Sequence, residues 1–452
     1  MGDGGLSMLV NPFSLLIGRH WISVCVIRMK KWGIHMAKVL SPRLQKLVND
    51  VVTNGEDSLS QFWNEVEKEG TPLIEAVPAT DAECYVTFLY RSSSGVDNVV
   101  VFLGPTSGLD GQMSLLENTD VWYKTYRLKS DARFMYQLSV NDSLVPLMEI
   151  MRKVLDGNPE EIAKRMQTFQ RDPLNKFPYQ MSTVLLSTIH LPESPAQPFI
   201  QPRTAIPAGT VHHYRAASAE LNNERDYWVY LPPAYSENAG PYPVAIFLDG
   251  QIYNSDIPTP FILDNLLAEG RIPPLVAVFI SSIDEQVRME ELSGSSKFLQ
   301  FVTDEVLGLV RERYRVTADP DRTIVAGFSL GGFSAIYFGL TRPDVYGNIL
   351  SQSGSFWLSQ PDTEQRPEGM SRLFEKAERL PLRIFMEAGL MESEVIFPGT
   401  NTSLLDANRR LREVLQRKGY PLHYSEFNGD HSVLCWRGSV SDGLQFLTDG
   451  WE

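Results

Sequence analysis

A serine stands between two glycines at the end of an apolar run, in the stretch VAGFSLGG at residues 325–332. The residues before it, RTIVAG (322–327), have the pattern of a short buried strand, and FSAIYFGL (333–340) has that of a helix start. Gly-x-Ser-x-Gly between a strand and a helix is typical of a nucleophile elbow, a strained turn in which small neighbours let two chain segments approach closely. We therefore predict that Ser329 is a nucleophile rather than a small residue in an ordinary turn. A phosphate-binding loop is disfavoured, because no Gly-Lys-Ser/Thr follows.

A serine hydroxyl is a weak nucleophile until a base removes its proton. In proteins with such an elbow the catalytic histidine follows the serine and the acid in the sequence, on the loop after the final strand. Two histidines follow Ser329, and His423 falls inside the strand pattern LHYSEF, so we expect it to pack or to face solvent. His431 lies just past that strand in NGDHSVLCWRG, among turn residues, and is the predicted general base.

The carboxylate that orients the base should follow the preceding strand, LRIFMEAG at 382–389. Glu392, in GLMESE, has the right loop position and is the predicted acid. Asp430 is expected to be a turn residue, because its side chain and that of the adjacent His431 diverge. A Ser–His dyad without a strong third member stays open, as do three other carboxylates: Glu387, which precedes the end of the strand, Glu394 and Asp406.

Two backbone amides are expected to hold the oxyanion that forms on the attacked carbonyl. The first is that of Leu330, at the N-terminus of the predicted helix, where the helix dipole favours negative charge. The second should come from the loop after PVAIFLDG, where Gly250 and Gln251 are the candidates. The alternative for Asp249 and Gly250 is an ordinary turn.

Seven strand-like runs with helical patterns between them surround these residues: 226–235, 243–250, 275–284, 322–328, 346–354, 382–389 and 422–427. Over 297–314, apolar residues at helical spacing form one face of a predicted helix. Strands that alternate with helices predict a mainly parallel sheet covered on both faces, with ligands at the carboxyl ends of the strands. The predicted fold class is therefore α/β, an α/β-hydrolase fold over residues 216–452.

The chain before this domain has a different pattern. Between 84 and 140, short β-rich runs are separated by Gly, Asp, Asn and Ser, which predicts a small all-β sandwich of the immunoglobulin-like kind. We place an N-terminal β-sandwich domain at 41–190 and a Pro-rich linker at 191–215. The aromatic residues of this domain are expected to fill its core, a ligand-stacking face being the alternative.

Two helical segments belong to the same region. One helix is expected to begin with Ser58 or Ser60 as its cap and to end at Gly70, and a second covers about 159–169.

The composition of the chain limits the classes of function that are open to it. The chain has 452 residues, 43% apolar and 21% charged, which suits a globular protein of two or three domains. A net charge of −14 disfavours nucleic-acid binding, and an anionic substrate would need a local basic pocket. Cys25, Cys84 and Cys435 are far apart and odd in number, which favours a reducing, cytoplasmic location and no disulfide framework. No Cys/His cluster has zinc-site spacing, so we predict no structural metal and no cofactor.

The first 35 residues fit neither a membrane span nor a signal peptide. Their longest uncharged stretch is short and is broken by Asn11 and Pro12, the start MGDGG is acidic, and no A-x-A site follows. We predict a disordered extension over 1–40, with Met36 as an alternative first residue. A true export signal is the competing interpretation.

Several motifs together resemble those of the enterochelin (enterobactin) esterases. They are AGFSLGGFSAIYFGL with SQSGSFW after it, FNGDHSVLCWRG near the end, LDGQ at 248–251, SIDEQVRMEEL at 282–292 and DPLNKFP before the linker. The likeness spans roughly 60–450 and includes the N-terminal β domain of the cytoplasmic branch of that family. The elbow is generic to serine hydrolases, whereas HSVLCWRG and DPLN are more specific.

The resemblance implies a substrate and residues that bind it. The family hydrolyses the trilactone of catecholate siderophores built from 2,3-dihydroxybenzoyl-serine, usually as the ferric complex. By this resemblance Ser329 is the nucleophile, His431 is the base, and three further residues lie near the ligand: Arg288, Trp436 and Arg437. Family members often carry an acidic residue after LDG, where this chain has Gln251.

A ferric tris-catecholate carries about three negative charges, so an acidic protein needs cations and aromatic rings to hold it. Arg288 and Arg437 would supply charge, and Trp357 or Trp436 a ring. The alternative for each arginine is a surface or structural ion pair, and for each tryptophan a place in the core.

Two other functions stay open. One is a carbohydrate or feruloyl-type esterase whose N-terminal domain binds glycan. The other is a non-catalytic siderophore-binding protein, against which the intact Ser329 and His431 argue. In each case the expected partner is a small molecule, with no nucleic acid and no membrane.

Overall fold

A computed structural model of the chain describes residues 39–104, 107–155, 158, 160–181, 184–359, 366–395 and 400–451. The predicted extension at 1–40, including Met36, lies outside these residues except for its last two. Cys25 is also outside them, and the two described cysteines, Cys84 and Cys435, are free thiols.

The N-terminal part begins with two helices, α1 (Pro42–Asn54) and α2 (Glu56–Glu69). Ser41 caps α1, since its Oγ accepts a hydrogen bond from the Leu44 amide at 3.1 Å. The prediction that Ser58 or Ser60 caps the second helix was wrong, because the chain breaks at Gly55, whose φ of 62° ends α1 and lets α2 begin at once. Gly70 follows the end of α2, as predicted.

The described residues of this part then form nine strands: β1 (Leu73–Val77), β2 (Thr80–Arg91), β3 (Val99–Phe102), β4 (Ser114–Leu115), β5 (Val121–Lys129), β6 (Arg133–Val140), β7 (Phe169–Gln170), β8 (Pro178–Met181) and β9 (Val184–His190). Two helices, α3 (Leu147–Leu155) and α4 (Glu160–Met166), lie between β6 and β7.

The strands form two antiparallel sheets, in the orders β1-β2-β5-β4 and β3-β6-β9-β8, with β7 beside β6. Their inner faces share one core, in which Phe88 of the first sheet packs edge-on against Tyr136 of the second at 4.8 Å between ring centroids. Helices α1 and α2 cover the other face of the first sheet. The aromatic residues of this core are thus packed inside the sandwich; the immunoglobulin-like connection and the domain boundaries stay predictions.

The C-terminal part is built on one eight-stranded sheet. Its strands are β10 (Thr210–Ser218), β11 (Asn223–Leu231), β12 (Val244–Leu248), β13 (Val276–Ile280), β14 (Thr323–Phe328), β15 (Asn348–Gln352), β16 (Arg383–Gly389) and β17 (Leu422–Phe427). The spatial order is β10-β11-β13-β12-β14-β15-β16-β17, parallel from β13 to β17 and antiparallel at β10 and β11. Every residue of β12 to β15 is buried, as expected for strands covered on both faces.

The helices that cover the sheet are α5 (Gly250–Tyr253), α6 (Thr259–Ala268), α7 (Glu285–Leu292), α8 (Ser296–Gln300), α9 (Leu307–Arg313), α10 (Leu330–Thr341), α11 (Gly369–Lys376), α12 (Leu404–Arg417) and α13 (Val433–Thr448). A π-helical turn, Phe301–Val306, joins α8 to α9, so the predicted 297–314 helix is continuous, with its apolar face in the core.

Strand β10 lies partly inside the predicted 191–215 linker, so the irregular connection is shorter than expected. The first four residues of β10 are exposed. An edge strand with such exposure carries no apolar alternation, and its sequence TVHHYRAAS therefore gives no strand signal.

Candidate active site

Ser329 lies in a strained turn between β14 and α10. Its φ is 54°, a left-handed conformation that is uncommon for a residue with a side chain. A Cβ on Gly327 would lie 2.2 Å from the carbonyl carbon of Gly331, so the turn requires glycine there. The turn is held by hydrogen bonds, since the Ser329 amide donates to the Gln352 carbonyl at 2.9 Å and its carbonyl accepts from the Ser355 amide at 3.0 Å. Strain of this kind persists only where the surrounding structure enforces it, and it is typical of nucleophile elbows.

His431 follows β17 and meets Glu392, which follows β16. The distance between His431 Nδ1 and Glu392 Oε1 is 2.9 Å, and the carboxylate is fully buried. The second carboxylate oxygen accepts from the Gly389 amide at 3.1 Å, which fixes its orientation. A carboxylate at Nδ1 keeps the proton on that nitrogen and leaves Nε2 as the base. The structure thus joins the two residues that the sequence assigned to base and acid.

Ser329 and His431 both line one cavity of about 540 Å³. It lies between the N-terminal half of the chain, which contains α1 to β9, and the C-terminal half, which contains β10 to α13. The C-terminal half contributes the polar side of this cavity. The N-terminal half contributes a wall that is mainly apolar and rich in methionine: Phe102, Met135, Met166, Met181, Val184 and Leu186. No sequence pattern indicates this wall, because it exists only where the two halves meet.

The candidate oxyanion donors flank the serine. Leu330 is the first residue of α10, so its amide has no acceptor within the helix. On the other side, a Cβ on Gly250 would lie 2.2 Å from the Ile280 amide nitrogen, so only glycine allows α5 to approach β13 this closely. Gln251 lines the cavity, and its Oε1 accepts from the Ser282 amide at 3.0 Å. Oxyanion binding by these amides stays a prediction.

Asp249 is a functional candidate that the sequence reasoning treated only as a turn former. Its side chain is fully buried behind the Gly250–Gln251 turn, and its φ is 56°. Both oxygens accept from Arg288, at 2.8 Å from Nε and from Nη2, and Oδ1 also accepts from Ser282 at 2.6 Å. Burial acts to lower the pKa of Arg288, but the charge and hydrogen bonds of Asp249 outweigh it and raise that pKa. Arg288 is therefore a support for the turn as well as a part of the cavity wall.

We predict that Arg288→Gln lowers the turnover of a small neutral ester and of a large anionic one to a similar degree. Removing one partner of a buried ion pair leaves Asp249 uncompensated, which costs about 3–5 kcal/mol and disturbs the adjacent turn. Steady-state kinetics with p-nitrophenyl acetate and a siderophore test this. A variant that loses only the siderophore activity would show instead that Arg288 acts by binding substrate. Arg203→Gln, at an exposed ion pair with Glu269, is the control and should change neither.

The other proposed binding residues lie in different places. Trp436 lines the cavity but is 3% exposed, stacks on Phe328 at 4.6 Å between ring centroids, and donates from Nε1 to Ser353 Oγ at 3.0 Å. Arg437 does not line this cavity: its Nε donates to Gln197 Oε1 at 2.8 Å, and its guanidinium lies 5.2 Å above the Tyr179 ring. Trp357 packs against the core of the C-terminal half. The geometry gives no support to ligand contacts from Arg437 or Trp357.

The remaining carboxylates are accounted for by other contacts. Glu387 accepts from Gln352 Nε2 at 3.0 Å and borders a second cavity, where burial raises its pKa to about 8. Asp406 bonds to Ser403 at the start of α12. Glu394 borders a different cavity, which is lined mainly by residues of the N-terminal half and not by Ser329. His423 stacks on Phe385.

The described residues form neither a metal-binding cluster nor a membrane-spanning helix. They contain no cluster of three or more His, Cys, Asp or Glu side chains that could hold a metal ion. None of the helices they form is both long enough and apolar enough to cross a membrane.

Comparisons with known proteins agree with this architecture. A family model for esterases matches residues 218–447, and one described as "Enterochelin esterase, N-terminal" matches 85–200. The chain is 30% identical to the iron(III) enterobactin esterase of Dickeya dadantii over 420 residues, which is 86% of this chain and 93% of that one. It is 31% identical to the Escherichia coli K12 protein of the same name over 356 residues, 75% of this chain and 82% of that one.

Solved structures are similar over most of the chain. The ferric enterobactin esterase of Salmonella typhimurium superposes with a TM-score of 0.69 at 28% identity, over 86% of this chain and 98% of that one. The Shigella flexneri esterase in the presence of enterobactin gives a TM-score of 0.67 at 28% identity, over 85% of this chain and 97% of that one.

The fold and the site therefore define a carboxylic ester hydrolase with an α/β-hydrolase fold and an added N-terminal domain. The chain belongs to the enterochelin (enterobactin) esterase family.

Proposed function

We propose that this protein hydrolyses the serine ester bonds of enterobactin-type catecholate siderophores, with Ser329 as nucleophile, His431 as base and Glu392 as the orienting acid. The observation that carries the proposal is the strained Ser329 turn in the same cavity as a His431–Glu392 pair at 2.9 Å. Relatives that this chain matches over most of their length are named for the same reaction, which supports the choice of substrate.

The reaction proceeds in two halves. His431 takes the hydroxyl proton of Ser329 while Oγ attacks the ester carbonyl, and the amides of Leu330 and Gln251 stabilise the oxyanion. The carbon–oxygen bond to the leaving seryl hydroxyl breaks as His431 returns the proton to it, which leaves an acyl-enzyme. Water then attacks the acyl carbon after His431 accepts its proton, and the proton passes to Ser329 Oγ as the acid product leaves. No redox step occurs, and iron is cargo of the substrate.

Opening of the lactone separates three catechol arms that the ring holds together. Pre-organisation is lost, so the linear product holds iron less tightly. The methionine-rich wall suits an aryl ring of one arm, because thioethers make favourable contacts with aromatic rings. Among the described residues that line the cavity, Arg288 is the one arginine or lysine, and it is already paired with Asp249. We therefore propose that apolar contacts, more than an arginine clamp, hold the arms.

A cytoplasmic location is part of the same proposal. The unpaired Cys84 and Cys435 favour a reducing compartment, where iron released from an imported siderophore would be used.

Chromatography of the products formed from iron-free and ferric enterobactin tests the function. We expect linear trimers, dimers and monomers of dihydroxybenzoyl-serine to replace the cyclic ester, with slow turnover of methyl ferulate as the control. Intact siderophore after long incubation with enzyme that still cleaves p-nitrophenyl acetate would overturn the substrate assignment. Rapid ferulate release alone would favour the feruloyl-esterase alternative.

A further inference from the structure

The loop that carries His431 runs along a strand of the N-terminal half. It occupies the residues between the end of β17 at Phe427 and the start of α13 at Val433. Glu392 holds the imidazole ring of His431 at Nδ1, but this side-chain contact does not hold the backbone of the loop. The backbone of the loop is held from two sides: the Met391 amide after β16 donates to the Gly429 carbonyl at 3.1 Å, and further contacts come from β6 and the residues just before it.

Backbone pairing joins this loop to the first residue of β6. The Arg133 amide donates to the Asn428 carbonyl at 2.9 Å, and Arg133 pairs with Gly429 in parallel orientation. The Asn428 side chain also donates to Asp131 Oδ1 at 2.6 Å. A Cβ on Gly429 would lie 2.7 Å from the Arg133 carbonyl oxygen, so glycine is needed for this close approach. The loop therefore forms a single β-bridge with the first residue of β6.

Asp430, the residue before His431, links this pairing to Ser432, the residue after it. Its side chain is 3% exposed, and its Oδ2 accepts from the Met135 amide of β6 at 3.1 Å. Its Oδ1 accepts from Ser432 Oγ at 2.5 Å, and its carbonyl accepts from the Ser432 amide at 3.0 Å. Ser432, after His431, is thus tied to the carboxyl group of Asp430, before His431, and that group is itself tied to the N-terminal half.

Burial raises the pKa of Asp430 to about 6, so its charged form has a desolvation cost at neutral pH. Packing of the two halves against each other does not require a buried carboxyl group with this desolvation cost, since a pair of apolar side chains could pack there instead. The Asp430 carboxyl group fixes the position of the loop along β6, which an apolar contact cannot do. Its two oxygens accept directional hydrogen bonds, one from β6 and one from Ser432 in the loop.

We propose that the N-terminal half positions the catalytic base, with the start of β6 as a template for the 428–432 loop and Asp430 as the positioning residue. The inference rests on the role proposed for His431. It assigns the N-terminal half a part in the chemical step, beyond lining the substrate cavity with residues of the same strand.

The test compares Asp430→Ala, Asp430→Asn and Tyr179→Phe in the full chain, with p-nitrophenyl acetate as substrate. Asp430→Ala should lower kcat by about 10- to 100-fold, with KM within about twofold, because a histidine misplaced by an ångström loses catalysis rather than binding. Asp430→Asn should recover most of kcat, since an amide can accept from Met135 and donate to Ser432 Oγ. Tyr179→Phe removes another hydrogen bond between the halves, to the Asp256 carbonyl, and should leave kcat unchanged.

A double-mutant cycle shows whether Asp430 acts through His431. On a His431→Ala background, assayed at high enzyme concentration, Asp430→Ala should cost little more, because the residue it positions is gone. An undiminished loss on that background, or an Asp430→Ala variant with wild-type kcat, would overturn the inference while leaving the proposed function in place. Full activity of His431→Ala alone would instead overturn the base assignment, and this inference with it. Thermal unfolding of each variant shows that it is folded at the assay temperature.

Discussion

Ser329→Ala should lose at least about 10⁴-fold in kcat for every ester substrate, while its affinity for the siderophore stays close to that of the wild type. The hydroxyl forms the covalent bond of the acyl-enzyme, and no other nucleophile takes its place in the proposed chemistry. The apolar contacts proposed to hold the arms of the substrate do not involve Ser329 Oγ. The loss therefore falls on the chemical step, and kcat rather than Kd reports it.

Single-turnover kinetics and equilibrium binding of iron-free enterobactin would separate the two effects. Ser334→Ala is a matched control, because Ser334 is a buried serine on α10, the helix that follows Ser329, and its Oγ donates to the Leu292 carbonyl at 2.8 Å. That variant should lose about 1 kcal/mol of folding stability and keep its activity. Turnover by purified Ser329→Ala that scales with its concentration and exceeds background would refute the nucleophile assignment.

The parts of the fold that the sequence predicted are those with local causes. Strands β12 to β17 each lie within a predicted run, and β11 begins three residues before its run. Strands β12 to β15 are fully buried. The Ser329 elbow is specified by glycines that pack within a few residues of one another. The meeting of His431 with Glu392 followed from topology, because loops after neighbouring parallel strands lie at the same edge of the sheet.

What the sequence could not predict depends on contacts between distant segments. Arg437 is close in sequence to His431, yet it points to Gln197 and Tyr179 rather than to the serine. Arg288 lines the cavity as expected, but its pairing with the buried Asp249 requires a contact between segments 39 residues apart. Single-sequence patterns carry the period of an element, not the direction of a side chain relative to another element.

The N-terminal half shows the same limit at a larger scale. Its sheets were predicted, but nothing in the spacing of β6 indicated that its first residues would pair with a loop about 300 residues later. Such pairing uses backbone groups, which every residue has, so no residue type marks it in the sequence.

The second large effect concerns the base and the acid. His431→Ala should lose about as much kcat as Ser329→Ala, and the double variant little more than either single one, because a serine without its base and a base without its serine are equally inactive.

Glu392→Gln should lose less, about 10²- to 10⁴-fold, since the amide keeps a hydrogen-bond acceptor near Nδ1 but removes the charge that stabilises the imidazolium. Glu387→Gln is the matched control: with a pKa raised to about 8 by burial, Glu387 is mostly neutral at pH 7, so an amide of the same shape should leave kcat unchanged. Measuring kcat and KM of these variants and of Asp406→Asn at pH 7 with p-nitrophenyl acetate and with iron-free enterobactin decides the assignment. Additive losses for Ser329 and His431 would mean that the histidine acts elsewhere. A larger loss in Glu387→Gln or Asp406→Asn than in Glu392→Gln would move the acid to that residue.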